Sequence, residues 1–166
     1  EDDPRIELIG MPKLDRLVDG TFDRARILEG FGLDPALPTV LWAPTGAPRN
    51  GFEKWGVNGS RAIQAAGVNL ILKLHDHPHL PRGVSHEQLI ESAKASLGPN
   101  GRFAAHSDIA PLLAAADLLV TDASSVAFEY CLVDRPIVFI DTTELIQMRE
   151  KTANGAMDLE THGRKI

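Results

Sequence analysis

Short apolar runs alternate with amphipathic stretches along this chain, and turn-forming residues separate them. Thr39–Ala43 (TVLWA), Val68–Leu74 (VNLILKL), Arg102–Ala105, Asp117–Val120 and Ile137–Ile140 (IVFI) read as strands. Arg5–Ile9 (RIELI), ended by Gly10, reads as one more, for about six in all. A helix can begin at Pro12, where Leu14, Leu17 and Val18 form an apolar face. Thr21 is the expected N-cap of a helix over Phe22–Glu29. The next helix covers Phe52–Ala66, with Gly56, Asn58 and Gly59 arguing for a start only near Ser60. Ser85 with Gln88 three residues on is a capping box opening a helix to about Leu97. Further helices are expected over Ile109–Ala116, with Pro111 harmless in the first turn, over Val126–Val133, and from Thr142/Thr143 to about Thr152.

Strands that are apolar throughout and alternate with helices predict a sheet covered on both faces. The expected fold is α/β: a Rossmann-like doubly wound, mostly parallel sheet of about six strands with helices on both faces. That domain runs over residues 1–152, and 153–166, polar and glycine-containing, reads as a tail or one further short helix. No internal repeat or low-complexity segment interrupts it.

Composition narrows the function more than the fold. A net charge of −6 argues against a general nucleic-acid surface, so an anion must be held by local geometry. Cys131, the only cysteine, excludes a disulfide framework and a cysteine metal site, and is expected as a small buried hydrophobe. No apolar run is long enough to span a bilayer, and no signal-peptide pattern opens the chain. The start, EDDPRIELIG, lacks a methionine and reads as a piece of something longer.

Candidate chemistry centres on Asp117–Tyr130, DLLVTDASSVAFEY. A buried strand there turns into a helix through Thr121-Asp122-Ala123-Ser124-Ser125. Small residues at such a turn present backbone N–H groups and hydroxyls to a phosphate at the carboxyl edge of a parallel sheet. The plainer alternative is that Ser124 or Ser125 caps the helix with help from Asp122, which suits organising the turn better than acid–base work. Other polar segments fall at the same edge: Gly10–Lys13, Thr45–Asn50, His75–His79 and His106–Asp108. Neither GxGxxG nor GxxxxGK followed by Ser or Thr occurs, so the dinucleotide and P-loop readings lose support.

His75, His77 and His79 could ligate a metal, line an exposed loop, or send one imidazole into the ligand crevice. The last is preferred, with His75 chosen because it follows its strand directly; no metal is expected. From there it can donate hydrogen bonds to a phosphate or protonate a leaving oxygen. Lys73, inside an apolar strand, either meets an anion or snorkels at an edge. Glu129, one helical turn beyond Ser125, either accepts from ribose or glycerol hydroxyls or is a solvated helix charge. Thr45 and Arg49 stand in a loop suitably placed for substrate contact.

LWAPTG, LILKLH and above all SDIAPLLAAADLLVTDASSVAFEYCLVDRPIVFID resemble the C-terminal half of the CDP-glycerol glycerophosphotransferase family. These are teichoic-acid primases and polymerases built on the GT-B fold. GMPKLD is similar to that family's G-Y/F-P-R/K-x-D segment, and the likeness covers most of Ile9–Asp141 in order. The T-D-x-S-S-V-x-F/Y-D/E run is its specific part; A-P-T and K-L-H are weak alone.

The resemblance implies one GT-B lobe that binds a nucleotide-activated donor, with the pyrophosphate on Ser124 and Ser125 and His75 nearby. It implies transfer of glycerol phosphate from CDP-glycerol to an acceptor hydroxyl with release of CMP, and no cofactor. An N-terminal acceptor lobe supplying the base would be missing here, leaving the piece inactive alone. The family places the whole protein in the cytoplasm, peripheral to the inner membrane face. The chain departs from the family where Asp76 follows His75 in place of proline, with His77-Pro78 as the H-P pair. Ala123 replaces the aromatic after T-D, and the loop after A-P-T lacks W-R. The half-domain is also distantly similar to UDP-N-acetylglucosamine 2-epimerases and other nucleotide-sugar GT-B enzymes, which leaves a UDP-sugar donor open. A non-catalytic Rossmann-like binding module is the third reading.

Overall fold

In the computed structural model, residues 7, 9–46, 50–76, 85–105 and 108–143 are described. Among them are five strands: β1 (Thr39–Trp42), β2 (Asn69–Leu72), β3 (Gly101–Phe103), β4 (Leu118–Thr121) and β5 (Ile137–Phe139). They form one sheet in the order β3-β2-β1-β4-β5, with every neighbouring pair parallel. Of the expected sixth strand, Arg5–Ile9, only Glu7 and Ile9 are described, and neither is in a strand. The helix expected beyond Thr143 and the tail at 153–166 lie outside the described residues.

Alternation within each apolar run sorts the side chains onto the sheet's two faces. Leu41, Ala43, Ile71 and Leu119 face one way, against Leu28, Leu112, Leu113 and Tyr130. Val40, Trp42, Leu70, Leu72 and Val120 face the other, against Phe52 and Ala93. Helices α1 (Arg24–Gly30), α4 (Ile109–Ala115) and α5 (Val126–Tyr130) cover the first face, and α2 (Gly51–Ala65) and α3 (His86–Ala95) the second. Leu41, paired in register with Ile71 and Leu119, is wholly buried with both partners. Each such side chain contributes on the order of 2 kcal/mol by leaving water. No helix among the described residues is long and apolar enough to cross a membrane.

At the amino edge Arg24 pins the two central strands. It donates to Asp117 Oδ2 at 2.8 Å and to the carbonyls of Pro35 and Leu37, while Asp117 Oδ2 also accepts the N–H of Thr39.

Three local expectations are corrected. The cap of α1 is Asp23, whose carboxylate accepts from Arg26 N; Thr21 instead donates its N–H to Asp19 Oδ1 at 2.8 Å. Helix α2 starts at Gly51, well before Ser60, because Asn50 Oδ1 accepts from both Phe52 N and Glu53 N at 2.9 Å. Gly56 is absorbed as a kink with φ 33° and ψ −119°, which glycine tolerates. Cys131 is exposed. Its position five residues past the buried Val126 turns it about 140° off that face, just where α5 gives way to the 3-10 turn Cys131–Val133. The capping box at Ser85 and Gln88 is present as expected.

Candidate functional site

Because the strands are parallel, the segments that follow them all leave at one edge. From β1 the chain winds outward through β2 and β3, then returns to place β4 against β1 and winds the other way. The β1–β4 gap is therefore a topological switch point, where a crevice opens beyond the strand ends.

The loop leaving β1 is strapped onto the end of β4. Ala43 N donates to Val120 O at 2.9 Å, and Thr121 Oγ1 donates to Ala43 O at 2.7 Å. The Asp122 carboxylate then takes two backbone N–H groups, Thr45 on Oδ1 at 2.8 Å and Gly51 on Oδ2 at 2.7 Å. Asn50 Nδ2 completes the strap by donating to Thr45 O at 3.0 Å. Asp122 is 1% exposed, so these charge-assisted bonds replace water around a buried anion.

Beside this strap lies a cleft of about 390 Å³, walled by Ala43 and Pro44 after β1, Lys73–Asp76 after β2, Ile109 of α4, and Ser124, Ser125, Val126 and Glu129 after β4. The exposed imidazole of His75 rests on Gly46, where a β-carbon would come within 2.7 Å of His75 Cγ. Lys73 is buried, and its Nζ donates to Leu74 O at 3.0 Å and to Asp76 Oδ1 at 2.7 Å. Ser125 Oγ makes no capping bond to its helix, and Ser124 Oγ accepts only a long 3.5 Å contact from Val126 N. Glu129, almost wholly buried, accepts from Lys13 Nζ at 2.7 Å. That ion pair ties the 3-10 helix Pro12–Leu17 to α5 beside a second, more apolar groove of about 610 Å³, which shares Ser125 and Glu129 with the cleft.

Five of the residues expected from sequence thus meet in one cleft: Lys73, His75, Ser124, Ser125 and Glu129. Thr45 and Asp122 do not line it; both belong to the strap. Arg49, His77, His79, His106 and Ser107 lie outside the described residues. The segments holding Gly46, Lys13 and Asp76 were expected at this edge, but no role for these three residues was read from the sequence. Gly46 ends the A-P-T-G run, and Asp76 stands three residues after Lys73, so both carried a signal; the reach of Lys13 over 116 residues carried none. Among the described residues no group of three or more His, Cys, Asp or Glu side chains is placed to hold a metal. Chemically, two hydroxyls, a lysine ammonium and an imidazole around one opening can hydrogen-bond and neutralise a phosphate and pass a proton to a leaving oxygen.

Sheet order and cleft position define a Rossmann-like α/β domain with its candidate site at the switch point. The chain belongs to the CDP-glycerol:poly(glycerophosphate) glycerophosphotransferase family, whose model matches residues 2–158. It is similar in fold to the wall teichoic acid polymerase TagF, at 24% identity and a TM-score of 0.57 over 84% of this chain and 34% of that one. A histidine-substituted TagF soaked with CDPG matches at 24% identity and a TM-score of 0.60, covering 84% of this chain and 33% of that one. The chain therefore spans about a third of the length of these structures. No curated protein matches it significantly.

Proposed function

We propose that this chain is the donor-binding lobe, over residues 1–152, of an enzyme that moves glycerol phosphate from CDP-glycerol to an acceptor hydroxyl. The observation that carries the reading is the convergence of Lys73, His75, Ser124, Ser125 and Glu129 on one cleft at the switch point. Family membership supplies the donor class. Ser124 and Ser125 hydrogen-bond the diphosphate, Lys73 offsets its charge, and Glu129 accepts from hydroxyls of the bound donor. The acceptor oxygen attacks the glycerol-bearing phosphorus, the bond to the bridging oxygen breaks, and that oxygen leaves with CMP. His75 donates to the leaving phosphate and so lowers the cost of its developing charge. The acceptor's proton goes to a base on an acceptor lobe outside this chain. For that reason the segment alone binds donor without transferring it.

Calorimetric titration of the full-length protein with CDP, UDP, ADP and CDP-glycerol tests this, repeated with Ser125→Ala and His75→Ala. Cytidine-selective binding weakened in both variants is the expected result. A preference for UDP would move the donor to a nucleotide sugar, and affinity unchanged in both variants would remove the diphosphate from this cleft.

A further inference from the structure

Among its described lining residues, the cleft proposed to take a diphosphate carries no surplus of positive charge. The Lys73 ammonium is matched there by two carboxylates, Asp76 and Glu129. Glu129 has its own cation in Lys13 at 2.7 Å, whereas Asp76 lies on Lys73 itself at 2.7 Å. The two partners of that second pair sit very differently. Lys73 has an 8% exposed side chain, fixed by its place at the end of β2 and by its bond to Leu74 O, while the Asp76 side chain is 43% exposed. The ammonium is held in the cleft wall, and the carboxylate can turn out into water at little desolvation cost.

Resting on the donor-binding reading above, we infer that Asp76 is a placeholder for the ligand's phosphate. Until a ligand enters, the Asp76 carboxylate satisfies the buried Lys73 ammonium, which pairs with no other carboxylate among the described residues. When a diphosphate enters, its oxygen replaces Asp76 Oδ1 on Lys73 Nζ, and Asp76 turns to solvent. No covalent bond changes; on Lys73 Nζ one charge-assisted hydrogen bond is exchanged for another. Asp76 keeps Lys73 aimed into the cleft, and it also competes with the ligand. The site consequently favours a dianionic diphosphate, which outbids one carboxylate, over a singly charged phosphodiester or a carboxylate ligand.

A double-mutant cycle on the full-length protein decides this, using CDP and inorganic pyrophosphate as probes and thermal unfolding to verify that each variant folds. Asp76→Asn is expected to tighten both probes about three- to tenfold, because the competing charge is gone. Lys73→Met is expected to weaken both, and Asp76→Asn added to Lys73→Met is expected to give no gain. Affinity that falls or stays level in Asp76→Asn overturns the placeholder role while leaving donor binding intact. An equal gain with and without Lys73 overturns it too, since the effect would then be a general field of the carboxylate. Failure of wild type and Asp76→Asn alike to bind either probe overturns the donor-binding reading, and this inference with it.

Discussion

The carboxylate of Asp122 accepts the N–H of Gly51 across 71 residues of chain, at 2.7 Å. The same carboxylate accepts the N–H of Thr45, so one buried side chain fixes both ends of the loop that leaves β1. Truncation in Asp122→Ala leaves two buried donors without an acceptor. Unfolding in urea is expected to show a loss of about 2–5 kcal/mol. Asp122→Asn keeps one acceptor but sets an amide N–H₂ against a backbone donor, and is expected to fall between wild type and alanine.

Gly46 sets the place of His75. A β-carbon there meets the imidazole at 2.7 Å, and the ring, being exposed, can yield by swinging outward. Gly46→Ala is therefore expected to cost little stability, under about 1 kcal/mol, yet to weaken donor binding as much as His75→Ala does. Combining the two should be no worse than His75→Ala alone, a non-additivity that calorimetry reads directly.

Gly56 is needed for its backbone alone. Its φ of 33° lies where side chains are strained, and a β-carbon would meet nothing within 4 Å. Gly56→Ala is expected to destabilise by about 1 kcal/mol or more in chemical denaturation, with no steric contribution.

Tyr130 makes the fold sensitive to base. Burial raises its hydroxyl pKa to about 12, and the hydroxyl donates to Ala116 O at 2.9 Å. The unfolded chain gives up this proton near the ordinary pKa of 10, so between pH 10 and 12 the folded state binds more protons than the unfolded one. Stability must fall as pH rises through that window, by on the order of 2 kcal/mol. Tyr130→Phe is expected to flatten this part of a stability–pH profile while losing about 1 kcal/mol at neutral pH with the hydrogen bond.

The sheet was legible because its signals are local. TVLWA and VNLILKL are apolar over lengths that only a strand buried on both faces needs, and Ser85 with Gln88 is a complete capping instruction within four residues. The cleft was half legible for the same reason: Ser124, Ser125 and His75 stand only three or four residues beyond the end of a strand. What escaped depends on distance. Nothing near Asp122 says that its partners are Thr45 and Gly51, so a local role in the turn was the natural reading. Glu129 likewise could be read as a solvated charge until Lys13 is seen against it. Thr21 was misread as a cap because Asp23, two residues on, competes for the same duty and reaches Arg26 N.

The strap has a consequence for how the molecule comes into being. Thr39 and Asp117, at the far end of the same strand pair, are 78 residues apart, so pairing β1 with β4 closes about half of the domain in a single loop. Long closures of this kind are slow and come with the global folding step. During synthesis the cleft cannot exist until β4 has left the ribosome, even though the loop carrying Thr45 and Gly46 emerged long before. In the finished protein the amide protons of Thr45 and Gly51 are held by a buried carboxylate that arrives 71 residues or more after them in the chain. Their exchange with solvent is expected to follow the opening of the β1–β4 pair, which would make them a built-in gauge of the sheet's stability.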